Sequence, residues 1–228
     1  MSRLQNKERH LIVQTNPRSP ISEAFRSLRT NIDFSSVDEQ TQVIMVTSSG
    51  PEEGKSTVIA NLAVTYAQNH RKVLLIDADM RKPTVHRTFR LSNRGGLSSY
   101  LSHTDAIEDV IQLTNVEDLF VMTAGPIPPN PAEMLSSKSM ANMIKALREQ
   151  FDVILIDAPP ILAVTDAQLL ASNSDGVLMV IHSGKVKKDI ANKAKEMLLR
   201  VNARILGVVL NNVKRKTSEE YYYYYYGN

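Results

Sequence analysis

Lys55, Ser56 and Thr57 follow Gly54 at the end of the run Thr47-Ser48-Ser49-Gly50-Pro51-Glu52-Glu53-Gly54. An ammonium and a hydroxyl side by side behind a loop with two glycines suit a polyphosphate. Backbone N–H groups wrap the anion where small residues let the chain close around it, and the start of the following helix adds partial positive charge. The lysine then reaches the β and γ phosphates, and the Ser56 hydroxyl holds Mg2+. The apolar run Val43–Val46 before the loop and the helical pattern after it give the strand–loop–helix context that such a loop needs. The match is imperfect, because Ser49 stands where the pattern begins with glycine. Capping of the helix by Ser56 or Thr57 is the plainer use of these residues.

Three carboxylates belong with this loop. One apolar run ends Leu75-Ile76-Asp77-Ala78-Asp79-Met80-Arg81, and another ends Ile154-Leu155-Ile156-Asp157-Ala158-Pro159-Pro160. Ligands of open parallel sheets sit outside the carboxyl ends of the strands, so Asp77, Asp79 and Asp157 are expected on the edge where the loop opens. Asp157 reads as a metal ligand, direct or through water. Of the other two, one can hold metal and one can accept a proton from an attacking hydroxyl; the choice leans to Asp79 for metal and Asp77 for base. Each could instead cap a following helix. Arg81 can clamp a phosphate or pair with an aspartate of the core region.

The elements that must carry these residues are legible as short, nearly continuous apolar runs: Val43–Val46, Val73–Ile76, Leu119–Met122, Val153–Ile156, Val177–Ile181 and Ile205–Leu210. Strands covered on both faces look like this. Helical spacing recurs over 56–69 and over 185–202, where Ile190, Ala194, Met197, Leu198 and Val201 form one stripe with lysines opposite. The alternation predicts an α/β fold, a doubly wound and mostly parallel sheet with helices on both faces, of the P-loop NTPase type. Gly125–Pro131, GPIPPNP, is expected as a fixed non-helical loop. Residues 1–20 read as a polar, extended N-terminal extension, with the first helix starting near Ser22. The folded domain is expected over 21–213, and 214–228 as a flexible tyrosine-rich tail.

At 228 residues the chain has room for one sizeable core. A net charge of +3 is too small to argue for nucleic acid, and the late basic residues at Lys185, Lys187, Lys188, Lys193, Lys195, Lys214, Arg215 and Lys216 read as a solvated helix face and tail. The absence of cysteine excludes disulfides, thiolate catalysis and Cys-ligated metal. The N-terminus lacks the apolar core of a signal peptide, and no apolar run approaches the ~18 residues of a membrane span. A cytoplasmic protein is expected, reaching the membrane only through a partner.

Several of these motifs together resemble the bacterial tyrosine kinases, the P-loop kinases of capsule and exopolysaccharide synthesis. LLIDADMRKP at 74–83 is similar to their second Walker motif, ILIDAPP at 154–160 to their Walker B, Ser49–Thr57 to their Walker A, and GPIPPNPAEML at 125–135 to a loop common among them. Glu23-Ala24-Phe25-Arg26-Ser27-Leu28-Arg29 matches the family's E-x-x-R-x-x-R helix. The resemblance spans roughly residues 15–228 and implies ATP and Mg2+ as cofactors, with Ser49, Gly50, Glu53, Gly54, Lys55, Ser56, Thr57, Arg81 and Asn211 as nucleotide contacts, Asn211 at the adenine. It implies Ser56, Asp79 and Asp157 as metal ligands and Lys55, Asp77 and Asp79 as the catalytic set. It further implies a homo-oligomeric ring docked through Glu23, Arg26 and Arg29, which at i, i+3 and i+6 share a helix face. A membrane activator whose cytoplasmic tail completes the site, sugar-nucleotide enzymes as protein substrates and an opposing tyrosine phosphatase are the partners it suggests.

Tyr221, Tyr222, Tyr223, Tyr224, Tyr225 and Tyr226 are six of the eight tyrosines. The family reading makes them the sites of autophosphorylation in trans. At about −1.5 to −2 per phosphate, full modification would take the net charge from +3 to roughly −6 to −9. The rival reading is a ParA/MinD-like ATPase switch that phosphorylates nothing. Those proteins carry a signature lysine where this chain has Gly50, and they lack a polytyrosine tail.

Overall fold

The computed structural model describes residues 11–35 and 41–214. Seven strands form one sheet: β1 (Val43–Ser48), β2 (Val73–Asp77), β3 (Ile111–Leu113), β4 (Leu119–Met122), β5 (Val153–Asp157), β6 (Gly176–His182) and β7 (Ile205–Asn211). Their order is β3-β4-β2-β5-β1-β6-β7. Every pairing is parallel except β3 with β4. The six apolar runs of the sequence are six of these strands. The seventh, β3, is a three-residue antiparallel edge, too short to leave a periodic signal.

The chain between the strands folds into α1 (Ile12–Thr15), α2 (Pro20–Phe34), α3 (Lys55–Ala67), α4 (Val85–Phe89), α5 (Leu97–Leu101), α6 (Ile107–Val110), α7 (Pro131–Leu135), α8 (Lys138–Arg148), α9 (Asp166–Ala171) and α10 (Lys188–Arg200). Every residue of β1, β2 and β5 is buried. Successive side chains of a strand point to opposite faces, so Val43 and Met45 enter the core lined by α8, α9 and α10, while Ile44 and Val46 enter the core around α3. That two-sided burial explains why these strands read as unbroken apolar runs.

α3 is buried almost all round, because α1 and α2 cover the side facing away from the sheet. Here the expectation of an extended, separate segment over 1–20 needs correction for the described part. Leu11 and Val13 are buried, Ile12–Thr15 is helical, and the Val13 N–H donates to Asn61 Oδ1 at 3.1 Å. Four residues with two apolar side chains are too few to show periodicity, so this docking is invisible in sequence. α2 begins at Pro20, not Ser22: Ser19 caps it by accepting from the Ser22 N–H at 3.1 Å, with proline in the first turn where its missing donor is harmless. The same preference shortens the expected GPIPPNP loop, since Pro131 opens α7. On α10, Ala194 and Leu198 face the core but Ile190 is 38% exposed, so the expected stripe is narrower at its start.

Candidate active site

β1 lies in the interior of the sheet, between β5 and β6, and delivers the loop 49–54 to the rim beside their ends. The turn closes with Glu52 at φ 61° and Gly54 at φ 92°. Glycine is required at the second place for two reasons. The conformation is left-handed, and a Cβ there would lie 2.0 Å from the Asn211 Nδ2. That Asn211 amide donates to the Glu53 carbonyl at 2.9 Å. The Glu53 side chain, 3% exposed, folds back into the loop. Its Oε1 accepts from the Ser49 hydroxyl and the Gly50 N–H, and its Oε2 from the His182 N–H at 3.3 Å. Ser49 in place of glycine is thus matched by a carboxylate that takes its hydroxyl.

Lys55 starts α3 and turns its ammonium across the loop mouth. Nζ is 3.0 Å from Asp79 Oδ2, 3.2 Å from Asp157 Oδ1 and 3.3 Å from Ser56 Oγ. Burial alone would lower the lysine pKa, but the charges of Asp157 and Asp79 outweigh it and the net direction is up. Lys55 is therefore charged and balances two carboxylates delivered by neighbouring strands. Asp157 has no exposed surface, and its Oδ2 is buried without a hydrogen-bond partner. A buried carboxylate oxygen left unpartnered is costly, and a hard cation or its water would satisfy it. With Asp79, Asp157 and Ser56 offering oxygen donors around one point, the residues fit Mg2+.

Asp77 departs from expectation. Its Oδ2 accepts from the Thr84 and Val85 N–H groups, each at 2.9 Å, and its Oδ1 from the Asp79 N–H at 3.3 Å. Burial, then the charge of Asp157, pushes its carboxyl up to about 7. That value would suit a base, but the group is 0% exposed and its oxygens hold the turn after β2. Asp77 lies at the rim as expected, with its oxygens engaged in that turn; Asp79, at 6%, is the more open of the two. Correspondingly, among the described residues no three acidic or histidine side chains form a group that could hold a metal ion. All three aspartates lie at this rim, and Asp79 and Asp157 are the two that contact Lys55.

Arg81 takes the second of its two expected roles. Its Nε and Nη2 donate to the two carboxylate oxygens of Asp166 at 2.9 and 3.0 Å. Asp166, at the first turn of α9, carried no signal in the sequence beyond that of an ordinary helix start. The three residues of the E-x-x-R-x-x-R helix divide in this chain. Arg26 pairs with Glu23 at 2.6 Å and with the Pro17 carbonyl, whereas Arg29 turns inward to the Thr65 carbonyl at 3.3 Å. Tyr221–Tyr226 lie outside the described residues.

A loop of this kind at the end of a central parallel strand, with aspartates at the ends of β2 and β5 beside its lysine, defines a P-loop nucleotide-binding protein. Comparison with known proteins narrows the class. Residues 39–225 match the ParA family model, described as "NUBPL iron-transfer P-loop NTPase". The tyrosine-protein kinase YwqD of Bacillus subtilis is 50% identical over 207 residues, which is 91% of this chain and 87% of that protein. The crystal structure of the chimerical protein CapA2B2 superposes with a TM-score of 0.88 at 47% identity, covering 90% of each chain. The kinase domain of the Escherichia coli tyrosine kinase ETK gives a TM-score of 0.88 at 33% identity, covering 92% of this chain and 82% of that one. The chain belongs to the bacterial tyrosine kinases, within the ParA group of P-loop NTPases.

Proposed function

We propose that the chain transfers the γ-phosphoryl group of ATP to tyrosine, first to the cluster Tyr221–Tyr226 of a neighbouring copy. The observation that carries this is the placement of Lys55 between Asp79 and Asp157, with the Asp157 Oδ2 unpartnered. Asp79, Asp157 and Ser56 would hold Mg2+, whose charge offsets that of the phosphates during transfer. Lys55 leaves its carboxylates for the β and γ phosphates. The loop N–H groups and the start of α3 stabilise the charge on the transferring group. The carboxylate open to the attacking phenol is Asp79.

The regulation follows from charge. Glu23, exposed on α2, with the half-buried Arg26 and Arg29, meets a neighbouring copy and builds a ring, and the unmodified tail enters the neighbour's site. After phosphorylation the tail is repelled by the acidic rim and the ring opens. A membrane activator supplies a cytoplasmic segment that completes the site, sugar-nucleotide enzymes are further substrates, and a phosphatase resets the tail. Native mass spectra that show one and the same assembly before and after phosphorylation would exclude this switch.

The test of the chemistry is incubation with ATP, Mg2+ and the activator's tail, read by anti-phosphotyrosine signal. Lys55→Met is expected to abolish the signal, and deletion of 221–226 to remove it while ATP hydrolysis persists. Signal that survives in Lys55→Met defeats the assignment. The match to the ParA family model favours a second reading, an ATPase switch without kinase activity. ATP hydrolysis with no phosphotyrosine on any protein present would select it.

A further inference from the structure

We infer that Asp166 is a positioning residue of the nucleotide site, acting through Arg81 on the turn that carries Asp79. The inference rests on the reading of this rim as an ATP–Mg2+ site and adds a residue to it.

The two partners are unequally placed. The Asp166 side chain is 0% exposed, whereas that of Arg81 is 41% exposed. The guanidinium meets the carboxylate with two parallel hydrogen bonds, at 2.9 and 3.0 Å. That fork fixes orientation as well as distance. A carboxylate buried to this degree needs its partner, because removing one side leaves an uncompensated charge. Arg81 is therefore held by the demand of Asp166, not by surface packing.

The pair spans a particular gap. Arg81 lies two residues beyond Asp79 in the segment after β2, and Asp166 lies in the helix after β5. β2 and β5 are neighbours, with Asp77 opposite Asp157 at their ends. Their carboxylates Asp79 and Asp157 both contact Lys55. The turn is also tied down on its own side, by Asp77 through the Thr84 and Val85 N–H groups and by Asp79 Oδ1 through the Lys82 N–H at 3.1 Å. Arg81–Asp166 is the tie on the β5 side. Together these hold Asp79 at a set separation from Asp157, which is the separation a shared cation feels. If Arg81 instead bound phosphate directly, it would have to abandon Asp166 to burial without a partner.

The experiment is titration of the full chain with the fluorescent nucleotide mant-ATP, in Mg2+ and in EDTA, for wild type, Arg81→Gln, Asp166→Asn and the double variant. In Mg2+ each single variant is expected to bind about tenfold more weakly. In EDTA all variants should stay within about twofold of wild type, and the double variant should be no worse than either single. Three results overturn the inference: Asp166→Asn binding like wild type while Arg81→Gln does not, losses that multiply in the double variant, or equal losses in EDTA. Should Asp166→Asn not fold, Arg81→Gln and the double variant, which carries an amide pair in place of the two charges, decide the same question. Wild type that binds no mant-ATP, or binds it without regard to Mg2+, brings down the nucleotide reading itself, a result distinct from the other three.

Discussion

Lys55 faces two demands once a polyphosphate arrives: it must release Asp79 and Asp157, and it must find the loop already shaped. The shaping falls to Glu53. Its carboxylate holds the Ser49 hydroxyl, the Gly50 N–H and the His182 N–H. Glu53→Gln keeps the size but replaces one acceptor oxygen with a donor. Loss of a charge-assisted hydrogen bond corresponds to about 1.5–3 kcal/mol, so mant-ATP affinity should fall about tenfold or more. Ser49→Gly should cost little once Glu53→Gln is present, which a double-variant titration checks. Asp79 and Asp157 were legible because each lies next to the end of an unbroken apolar run, and Lys55 because it follows the loop with two glycines. Glu53 was legible only as part of a loop, and Asp166 not at all. A carboxylate in the first turn of a helix is commonplace, and only the fold shows that this one is buried against Arg81.

Among the elements, α1 is where sequence and structure part most. IVQT reads as polar linker, yet Val13 is 0% exposed and its N–H is held by the Asn61 side chain from the middle of α3. The reason lies in α3, whose first residue is Lys55. A helix buried on all sides needs a cover, and α2 with α1 supplies it through Phe25, Leu28 and Ile32. Asn61→Ala would leave a buried backbone donor unsatisfied and should destabilise the fold by about 1–3 kcal/mol. Val13→Ala should remove about 1–3 kcal/mol through lost burial and the cavity left behind. Urea unfolding reads both, and an unchanged midpoint in either would mean that α1 is dispensable. The strands, by contrast, were legible almost residue for residue. Burial on both faces removes the polar alternation that would otherwise blur their limits, and β3 escaped because it is an edge of three residues.

At the scale of the molecule the sheet is fastened at both rims. Opposite the nucleotide rim, Asp175 accepts from the Gln42 and Val43 N–H groups at 2.9 and 2.7 Å and pairs with Arg148. One carboxylate thereby joins the start of β1, the end of α8 and the approach to β6. Burial alone would raise its pKa, but hydrogen bonds from Arg148, Val43 and Gln42 outweigh this and hold it below the ordinary value. The unfolded chain therefore binds this proton more readily than the folded one. The stabilisation is complete above the unfolded pKa of about 4 and disappears as pH falls through the lower folded value. Asp175→Asn should be less stable than wild type in neutral solution, and the difference should shrink progressively below about pH 4, as followed by thermal unfolding across a pH series. A gap that stays constant would contradict this.

Asn211 has a mechanical consequence. It is the last residue of β7, it props the carbonyl of Glu53, and it lies where any side chain at residue 54 would have to go. Beyond it the polypeptide leads, within ten residues, to Tyr221. Any displacement of the end of this edge strand would therefore draw on the carbonyl just before Gly54, so that the sheet's outermost strand and the loop ahead of Lys55 are mechanically joined.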